Sequence, residues 1–410
     1  AHPGQDDDAV RQDLLAHLCR CTGWQTIVDA AAVRRSPAVG SAVSDVSAPV
    51  RGAVVGPSAA EHRALLEGRV AQQVGPDVAL GRGGFADDAA PPDALVAMRA
   101  ADGTWHVADT VSTARRAAGK IQGRRTTLPV TWPLDLPDGA WARSLQTTWV
   151  DPGYLEPDAS WCEPGGEPAS SVGNGGAFGG KLASEVGAVA RELADRHGRA
   201  VRVLSSREDV IRFGPKRPPV AIGVRADGTG WARVAAAPGI ADSIRAIASD
   251  WRVDEVVVDG PPTSAAVRGA GWVEAAVVLA SLQPTDEITS PDGAWASAVV
   301  DDSGVRIRVR CGRPLDEVVL RSFCIGAAHM ALGWVRSEAL VVDPAGEVQS
   351  LTVRSLGILR AVDTPPIEVT IEPDDAEPVN GSDAVFAAVA AAAWRAAGHP
   401  PRWPVQPVGG

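Results

Sequence analysis

The sequence is poor in several residue types. Its 410 residues include one tyrosine, two methionines, five cysteines and three lysines, so arginine carries almost all of the positive charge. The 39 basic residues are outnumbered by 50 acidic residues, which gives a formal net charge of −11. A protein that binds nucleic acid or an anionic membrane by general attraction needs the opposite balance. We therefore expect neither nucleic acid nor a membrane as a partner.

Long apolar runs and a secretory signal are also missing. A membrane-spanning helix needs roughly 18–20 apolar residues. The longest candidate, Ala384 to Trp394, is short and alanine-rich and is followed by Arg395, so it predicts a buried helix. The segment Ala1 to Asp8 is polar and ends in three aspartates, unlike a secretory signal. We expect a cytoplasmic protein whose length allows two or three domains.

The cysteines do not indicate a disulfide framework, because an odd number in so long a chain is not typical of one. Three are expected to be buried as small apolar groups: Cys162, Cys311 and Cys324. Cys19 and Cys21 follow a helix predicted at 9–18, and two thiolates at this spacing can bind one iron atom. The alternatives are half-buried thiols and a zinc site with His17, although one His and two Cys fall short of four ligands.

The densest glycine cluster lies at positions 173–181 and reads Gly-Asn-Gly-Gly-Ala-Phe-Gly-Gly-Lys. A helix is predicted directly after it, from Leu182 to His197. Glycines let backbone N–H groups approach a ligand closely, and the start of a helix adds a partial positive charge. The pattern therefore favours an anionic ligand, most simply a phosphate-bearing cofactor. An ordinary tight turn is the alternative.

Other segments have clear local patterns. Ser58 and Glu61 have the spacing of a capping box, which predicts a helix through about Gln73. Strands are predicted at 201–204 and at 305–310, where apolar residues alternate with arginine. His329 lies on an apolar segment and is expected to be a core histidine rather than a ligand.

The run Leu18 to Ala31 reads Leu-Cys-Arg-Cys-Thr-Gly-Trp-Gln-Thr-Ile-Val-Asp-Ala-Ala. It closely resembles the end of the helical [2Fe–2S] domain in the xanthine dehydrogenase/aldehyde oxidase family of molybdenum hydroxylases. In that family a Cys-x2-Cys pair and a later Cys-x-Cys pair hold the cluster. The resemblance implies that Cys19 and Cys21 are two of four iron ligands. It also implies that a missing N-terminal segment or another protein subunit supplies the other two.

Further motifs follow the order found in this family. Leu155-Glu156-Pro157 resembles a signature on a strand that faces the cofactor region. The segment 175–181 resembles a glycine-rich loop around a phenylalanine, and Arg268-Gly-Ala-Gly resembles a turn against the pterin. The resemblance implies that Glu156 lies near the molybdenum cofactor without binding the metal. It further implies that these residues bind the cofactor: Gly175, Gly176, Phe178, Gly179, Gly180, Lys181, Arg268 and Gly269.

The resemblance implies an α+β fold with a defined domain order. Residues 1–34 would be the C-terminal part of the helical [2Fe–2S] domain, and 35–78 a linker with one helix. Residues 79–131 would form an α/β hammerhead-like domain. Residues 132–410 would form a mixed α/β molybdopterin-binding domain of two subdomains, with a break near 262.

The match fails at positions that matter for catalysis. The family carries a glutamate in a Gly-x-Gly-Glu turn, where it acts as general base beside the metal. This chain reads Asn380-Gly-Ser382-Asp383 there, and a serine hydroxyl cannot usefully accept that proton. Asp383 is therefore the candidate replacement base. Phe323 stands where the family has a glutamine that contacts the cofactor, and the whole region is several hundred residues shorter.

The resemblance implies oxidative hydroxylation of an aldehyde or N-heterocycle, with oxygen taken from water. The molybdenum centre would accept two electrons and pass them through [2Fe–2S] clusters. We expect an oxidoreductase of this type, and a dimer. The alternative is a catalytically inactive, shortened family member that serves as a structural or electron-relay subunit of a larger complex.

Overall fold

A computed structural model of the chain describes residues 6–14, 19–35, 58–74, 76–120, 123, 125–173 and 175–406. The end of the predicted first helix, with His17, and most of the predicted linker therefore lie outside the described residues. So does Asn174 of the glycine cluster.

The N-terminal part is helical. Its helices are α1 (Asp7–Asp13), α2 (Gln25–Arg35), α3 (Ala59–Gly68) and α4 (Pro76–Ala79). The predicted capping box of α3 is confirmed, because Ser58 Oγ accepts the Glu61 N–H at 3.1 Å and Glu61 Oε2 accepts the Ser58 N–H at 2.7 Å. The helix ends at Gly68 instead of about Gln73, since Arg69 takes a left-handed conformation with φ 61°.

One mixed sheet has the strand order β2-β1-β5-β4. Its strands are β1 (Leu95–Arg99), β2 (Trp105–Ala108), β4 (Ala159–Cys162) and β5 (Val201–Leu204). Helices α5 (Val111–Ala117) and α6 (Val186–His197) belong to the same region. Because β1 pairs with β5, this sheet joins strands from both sides of the domain boundary proposed at 131. The domain limits stay a prediction.

Two further mixed sheets follow, with orders β3-β6-β7-β8 and β12-β11-β10-β9. The first contains β3 (Arg143–Gln146), β6 (Val220–Val224), β7 (Gly230–Ala235) and β8 (Arg252–Val256). The second contains β9 (Glu287–Thr289), β10 (Trp295–Asp301), β11 (Gly304–Arg310) and β12 (Ile367–Ile371). The predicted strand at 305–310 is confirmed, because β11 buries its apolar residues and exposes its arginines in alternation.

Five further α-helices lie in the described part of the chain, and the last two of them pack on the second of these sheets. They are α7 (Arg207–Phe213), α8 (Ile240–Arg245), α9 (Trp272–Ala280), α10 (Glu317–Arg336) and α11 (Ser382–Ala396). Helix α11 is buried from Ser382 to Trp394, which confirms the predicted buried helix. Trp334 of α10 stacks on Phe386 of α11 with ring centres 5.2 Å apart. The described residues thus form the expected α+β fold.

Helix α10 is long and apolar enough to cross a membrane by length and composition. Two thirds of its most apolar window is buried inside the protein, which is typical of a core helix. His329 lies on it and is buried, with Nε2 3.0 Å from the carbonyl oxygen of Leu359. The predicted core histidine is therefore confirmed. The three cysteines predicted to be buried are buried as well.

Candidate functional site

A cavity of about 550 Å³ is lined by residues from both ends of the chain. Its size lies within the range of about 300–1,000 Å³ typical of ligand sites. Predicted residues of the glycine cluster line it: Gly175, Gly176, Phe178, Gly179 and Lys181. Five other predicted residues line it too: Cys19, Cys21, Glu156, Arg268 and Asp383. Gly180 and Gly269 lie behind this surface, packed against Tyr154 and Trp272 respectively.

The glycine turn has a strained backbone. Ala177, Phe178 and Gly179 are consecutive left-handed residues with φ values of 50°, 58° and 93°. A non-glycine residue in this region costs of order 1–3 kcal/mol and is often found at functional sites. The predicted helix start at Leu182 is wrong, because α6 begins at Val186 after further turns. The dipole of that helix therefore does not act directly behind the glycine turn.

The glycines in this turn are required by contacts within the protein. A Cβ on Gly179 would lie 1.9 Å from the carbonyl oxygen of Ala266, and one on Gly176 would lie 2.9 Å from that of Gly68. These approaches join the turn to the loop before α9 and to the end of α3. The glycines were predicted to let the backbone come close to a ligand. They also let the backbone come close to other segments of the chain.

Arg268 connects that loop to the glycine turn and to α11. Its N–H donates to the Phe178 carbonyl at 3.0 Å, and its guanidinium lies 5.2 Å from the Phe178 ring centre. Nη1 donates to Ser382 Oγ at 3.2 Å and to Asp383 Oδ1 at 3.3 Å. Nε is buried without an acceptor among the described residues. Burial lowers the pKa of Arg268, and the charge of Asp383 opposes that effect.

Asp383, the candidate base, lies between two guanidinium groups. Besides Arg268, it accepts a hydrogen bond from Arg69 Nη2 at 2.5 Å. Its two carboxylate oxygens therefore each accept a hydrogen bond from an arginine of the chain. The structure therefore shows Asp383 in ion pairs with Arg69 and Arg268. Its role as a base stays a prediction.

Glu156 and Lys181 form the second charged pair of the cavity, with Oε2 and Nζ 3.1 Å apart. Lys181 is buried, whereas Glu156 is about one third exposed. The prediction that Glu156 lies on a strand is wrong, because residues 155 and 156 form a bend ahead of β4. Its carboxylate is held beside the glycine turn by Lys181 instead.

The Cys19 and Cys21 sulfur atoms lie 2.7 Å apart at the edge of the cavity. The hydrogen bond from Cys21 lowers the pKa of the Cys19 thiol to about 6, and the same bond raises that of Cys21. Arg20, between them, is buried and makes a two-point ion pair with Glu338, and its Nε donates to the Pro152 carbonyl at 3.0 Å. This anchoring fixes both thiols relative to the cavity.

Helix α3 was expected to be part of a linker, yet it forms one wall of the cavity. Glu67 is buried and accepts the N–H groups of Gly381 at 3.1 Å and Ser382 at 2.9 Å, so it caps the start of α11. Burial raises its pKa, and hydrogen bonds from Ser382 oppose the shift. Arg69 is the residue that directly follows the end of α3. The capping box predicted the helix, but no local signal placed it here.

Phenylalanine and tyrosine side chains, but no tryptophans, are concentrated at this site. The chain has five phenylalanines and one tyrosine, and four of these six residues line the cavity: Phe85, Tyr154, Phe178 and Phe323. Phe323, at the position where the resemblance implies glutamine, therefore adds apolar surface where an amide would add hydrogen bonds. Aromatic walls of this kind bind flat apolar groups.

The residues fit a phosphate-bearing organic cofactor, because the cavity is large enough and the buried Nε of Arg268 has no acceptor among the described residues. They do not fit a complete iron–sulfur cluster. Cys19 and Cys21 supply two thiolates, and no group of three His, Cys, Asp or Glu side chains comes together within the described part of the chain. His17 lies outside that part.

Comparison with known proteins gives matches among solved structures. Neither family models nor curated proteins match the sequence. The reconstituted CO dehydrogenase from Oligotropha carboxidovorans aligns over 83% of this chain and 95% of its own, with a TM-score of 0.55 and 10% identity. A carbon monoxide-reduced Cu,Mo-CO dehydrogenase aligns over 77% and 93%, with a TM-score of 0.52 and 9% identity.

Quinoline 2-oxidoreductase from Pseudomonas putida 86 aligns over 78% of this chain and 88% of its own, with a TM-score of 0.46 and 9% identity. At these identities, the likeness to the two CO dehydrogenase chains shows a shared fold. The fold that the sequence motifs implied is thereby confirmed.

Proposed function

We propose that this chain is the cofactor-binding part of a molybdenum-dependent oxidoreductase of the xanthine dehydrogenase/aldehyde oxidase type. It would oxidatively hydroxylate an aldehyde or an N-heterocycle. The observation that carries the proposal is the meeting of the glycine turn, the Arg268 loop and the Cys19–Cys21 pair around one cavity. The shared fold with a copper- and molybdenum-containing CO dehydrogenase supports it.

A molybdenum–pterin cofactor bound here would supply the two-electron acceptor for substrate oxidation. Arg268 and Lys181 would hold its anionic groups, since both cations line the cavity and Arg268 keeps an unpaired Nε. Phe178 and Phe323 would exclude water from the reacting groups and orient a flat substrate. The left-handed turn at 177–179 would hold Phe178 in place through its hydrogen bond with Arg268.

The proposal includes a partner. Cys19 and Cys21 would contribute two ligands to a [2Fe–2S] cluster, and a preceding segment or another subunit would contribute the rest. We further propose a cytoplasmic location and a dimer.

A second candidate function is a non-catalytic subunit that keeps the fold to serve a larger complex. Ser382 and Phe323 favour it, because both replace side chains that the resemblance ties to catalysis. The ion pairs favour it too. Asp383 already engages Arg268, and Glu156 already engages Lys181, so an incoming anion must compete with carboxylates of the chain.

Metal analysis of the protein purified from its native host, with all co-purifying chains identified, tests the proposal. Near-stoichiometric molybdenum on this chain is the expected result. Arg268→Met should lose molybdenum, whereas Arg252→Met should keep it, because Arg252 lies on β8 and does not line the cavity. Iron without molybdenum, or neither metal together with a larger homologue, would favour the second candidate.

A further inference from the structure

A second, smaller pocket lies where β3 meets the segment that follows α11. Its volume is about 260 Å³, and seven residues line it: Trp141, Ala142, Arg143, Ser144, Gly398, His399 and Pro401. None of the seven is acidic. Helix α11 has 15 residues and therefore spans about 22 Å. Asp383 lies at its first turn and this pocket lies beyond its last, so the pocket is separate from the cavity described above.

Arg143, the first residue of β3, brings a cation into this pocket. Its Nη1 donates a hydrogen bond to the carbonyl oxygen of Ala142 at 2.9 Å. Its Nε is buried and has no acceptor among the described residues, and its Nη2 donates to none of them either. No carboxylate in the described part of the chain forms an ion pair with this guanidinium group. The Nε–Nη2 edge, which is the planar fork of an arginine, is thus left without an acceptor.

Ser144 and His399 add further donors that have no partner. The Ser144 hydroxyl forms no hydrogen bond with any described residue, and neither ring nitrogen of His399 does so, although Nε2 is buried. The imidazole is held in place, because the His399 N–H donates to the Trp394 carbonyl at 3.0 Å and its ring lies edge-on to Trp394, with centres 5.0 Å apart. Since polar groups in folded proteins are normally paired, three unpaired side chains in one pocket indicate a ligand that accepts hydrogen bonds.

The charges that act on His399 leave a positive balance. Burial lowers its pKa, the charges of Arg143 and Arg395 lower it further, and the charge of Asp286 opposes them. Asp286 is already engaged, because it accepts hydrogen bonds from Nε and Nη2 of Arg395 at 2.9 and 2.8 Å. These two charges compensate each other, whereas that of Arg143 has no such partner. The pocket therefore favours an anion.

One feature of the helix opposes an anion at this place. The C-terminal end of α11 carries a partial negative charge from its last carbonyl groups. The carbonyl oxygens of residues 393–395, however, accept the N–H groups of residues 397–399 at 2.9 to 3.1 Å. This capping reduces the opposing effect, and the full charge of Arg143 outweighs what is left of it.

The pocket is suited to a small ligand. Its volume lies below the range of about 300–1,000 Å³ that is typical of sites for larger molecules. Its aromatic wall is held by the protein itself. Trp141 donates its indole N–H to the Pro137 carbonyl at 2.8 Å and packs against Gly223, while the Arg225 guanidinium lies 4.8 Å from its ring centre. Complementarity with this pocket therefore does not require an aromatic group on the ligand.

We infer that the pocket around Arg143, Ser144 and His399 is a binding site for a phosphate group, either free phosphate or the end of a phosphomonoester. The fork of Arg143 matches two phosphate oxygens, and the Ser144 hydroxyl and the His399 ring donate to the others. A phosphate group has enough acceptor oxygens for all three side chains, whereas a carboxylate has two oxygens. The site goes beyond the proposed function, because none of its residues lines the larger cavity.

Calorimetric titration of the purified full chain with inorganic phosphate, methyl phosphate and acetate tests the inference. Inorganic phosphate should bind, and acetate should bind at least about tenfold more weakly. Equal binding of methyl phosphate would support a phosphomonoester as the ligand. Exclusion of methyl phosphate would support free phosphate.

Three variants assign the donors. Arg143→Met should weaken phosphate binding about tenfold, because it removes a charge-assisted hydrogen bond. Ser144→Ala should weaken it about threefold, as expected for a neutral donor. His399→Asn should also weaken it about threefold, and asparagine tolerates the left-handed backbone at φ 57°. The matched control is Arg233→Met on β7 of the same sheet, since Arg233 also donates to a backbone carbonyl but does not line the pocket.

Urea-induced unfolding of each variant separates binding from folding. Ser144→Ala removes one oxygen atom from a side chain without a partner, so it keeps the test decisive even where Arg143→Met does not fold. Three results would overturn the inference: no binding of phosphate by the unaltered chain, acetate binding as tightly as phosphate, or equal losses in the folded Arg143→Met and Arg233→Met variants. Unchanged phosphate binding by Ser144→Ala and His399→Asn together would overturn it as well.

Discussion

Gly179 gives the most direct test of how the cavity is built. Its Cβ position lies 1.9 Å from the carbonyl oxygen of Ala266, about 1.5 Å closer than the 3.4 Å at which ordinary contact begins. The obstacle is backbone, so it cannot rotate away as a side chain would. Gly179 is also left-handed, with φ 93°. Gly179→Ala therefore adds a backbone strain and a steric overlap.

The two contributions can be separated with Gly198→Ala as the matched control. Gly198 is left-handed too, with φ 61°, but a Cβ there meets nothing within 4 Å. Left-handed strain alone should cost the control about 1 kcal/mol. Gly179→Ala should lose about 2 kcal/mol more, within the range for overpacked sites.

Urea-induced unfolding followed by tryptophan fluorescence measures both variants, since the chain contains thirteen tryptophans. Gly179→Ala should also displace Arg268, whose N–H bonds to Phe178, and should therefore lose the cofactor in the holoprotein. Equal losses of stability in the two variants would refute the idea that the glycine turn is packed against the Ala266 loop.

Two other predictions concern buried ionisable groups. Arg20→Met should reduce the free energy of unfolding by about 3–5 kcal/mol, because it leaves Glu338 buried and unpaired. The double variant Arg20→Met/Glu338→Leu should recover most of that loss in the same urea assay. If it recovers none, the pairing argument is contradicted. Burial lowers the pKa of His329 to about 4, from 6.5, so between these pH values the unfolded chain binds a proton that the folded chain does not. The free energy of unfolding should therefore fall by about 3 kcal/mol as the pH drops from 6.5 to 4. In unfolding measurements at several pH values, His329→Gln should remove this part of the pH dependence. An unchanged pH dependence would show that His329 is not responsible.

Features with a short-range physical cause could be predicted from the sequence. The capping box at Ser58 depends on a spacing of three residues, and the alternation in β11 depends on the twofold repeat of a strand. The burial of α11 follows from its alanine-rich composition. The residues of the Cys19 motif and of the glycine turn line a common cavity, and their roles there stay predictions.

The bounds of helices and strands near the cavity were predicted less accurately. The helix expected from Leu182 begins at Val186, because the chain first makes further turns after Lys181. Glu156 lies in a bend, since its position is set by Lys181 from another segment. For Glu156 the competing influence is a contact that residue spacing does not reveal.

By itself, the sequence determined the capping box of α3, the alternation in β11 and the burial of α11. Only the tertiary structure decided which charges compensate one another. Arg69 and Asp383 are 314 positions apart, yet their side chains form an ion pair at the cavity. The reason is physical: electrostatic attraction depends on distance and burial in three dimensions, and neither can be read from the separation of two residues along the chain.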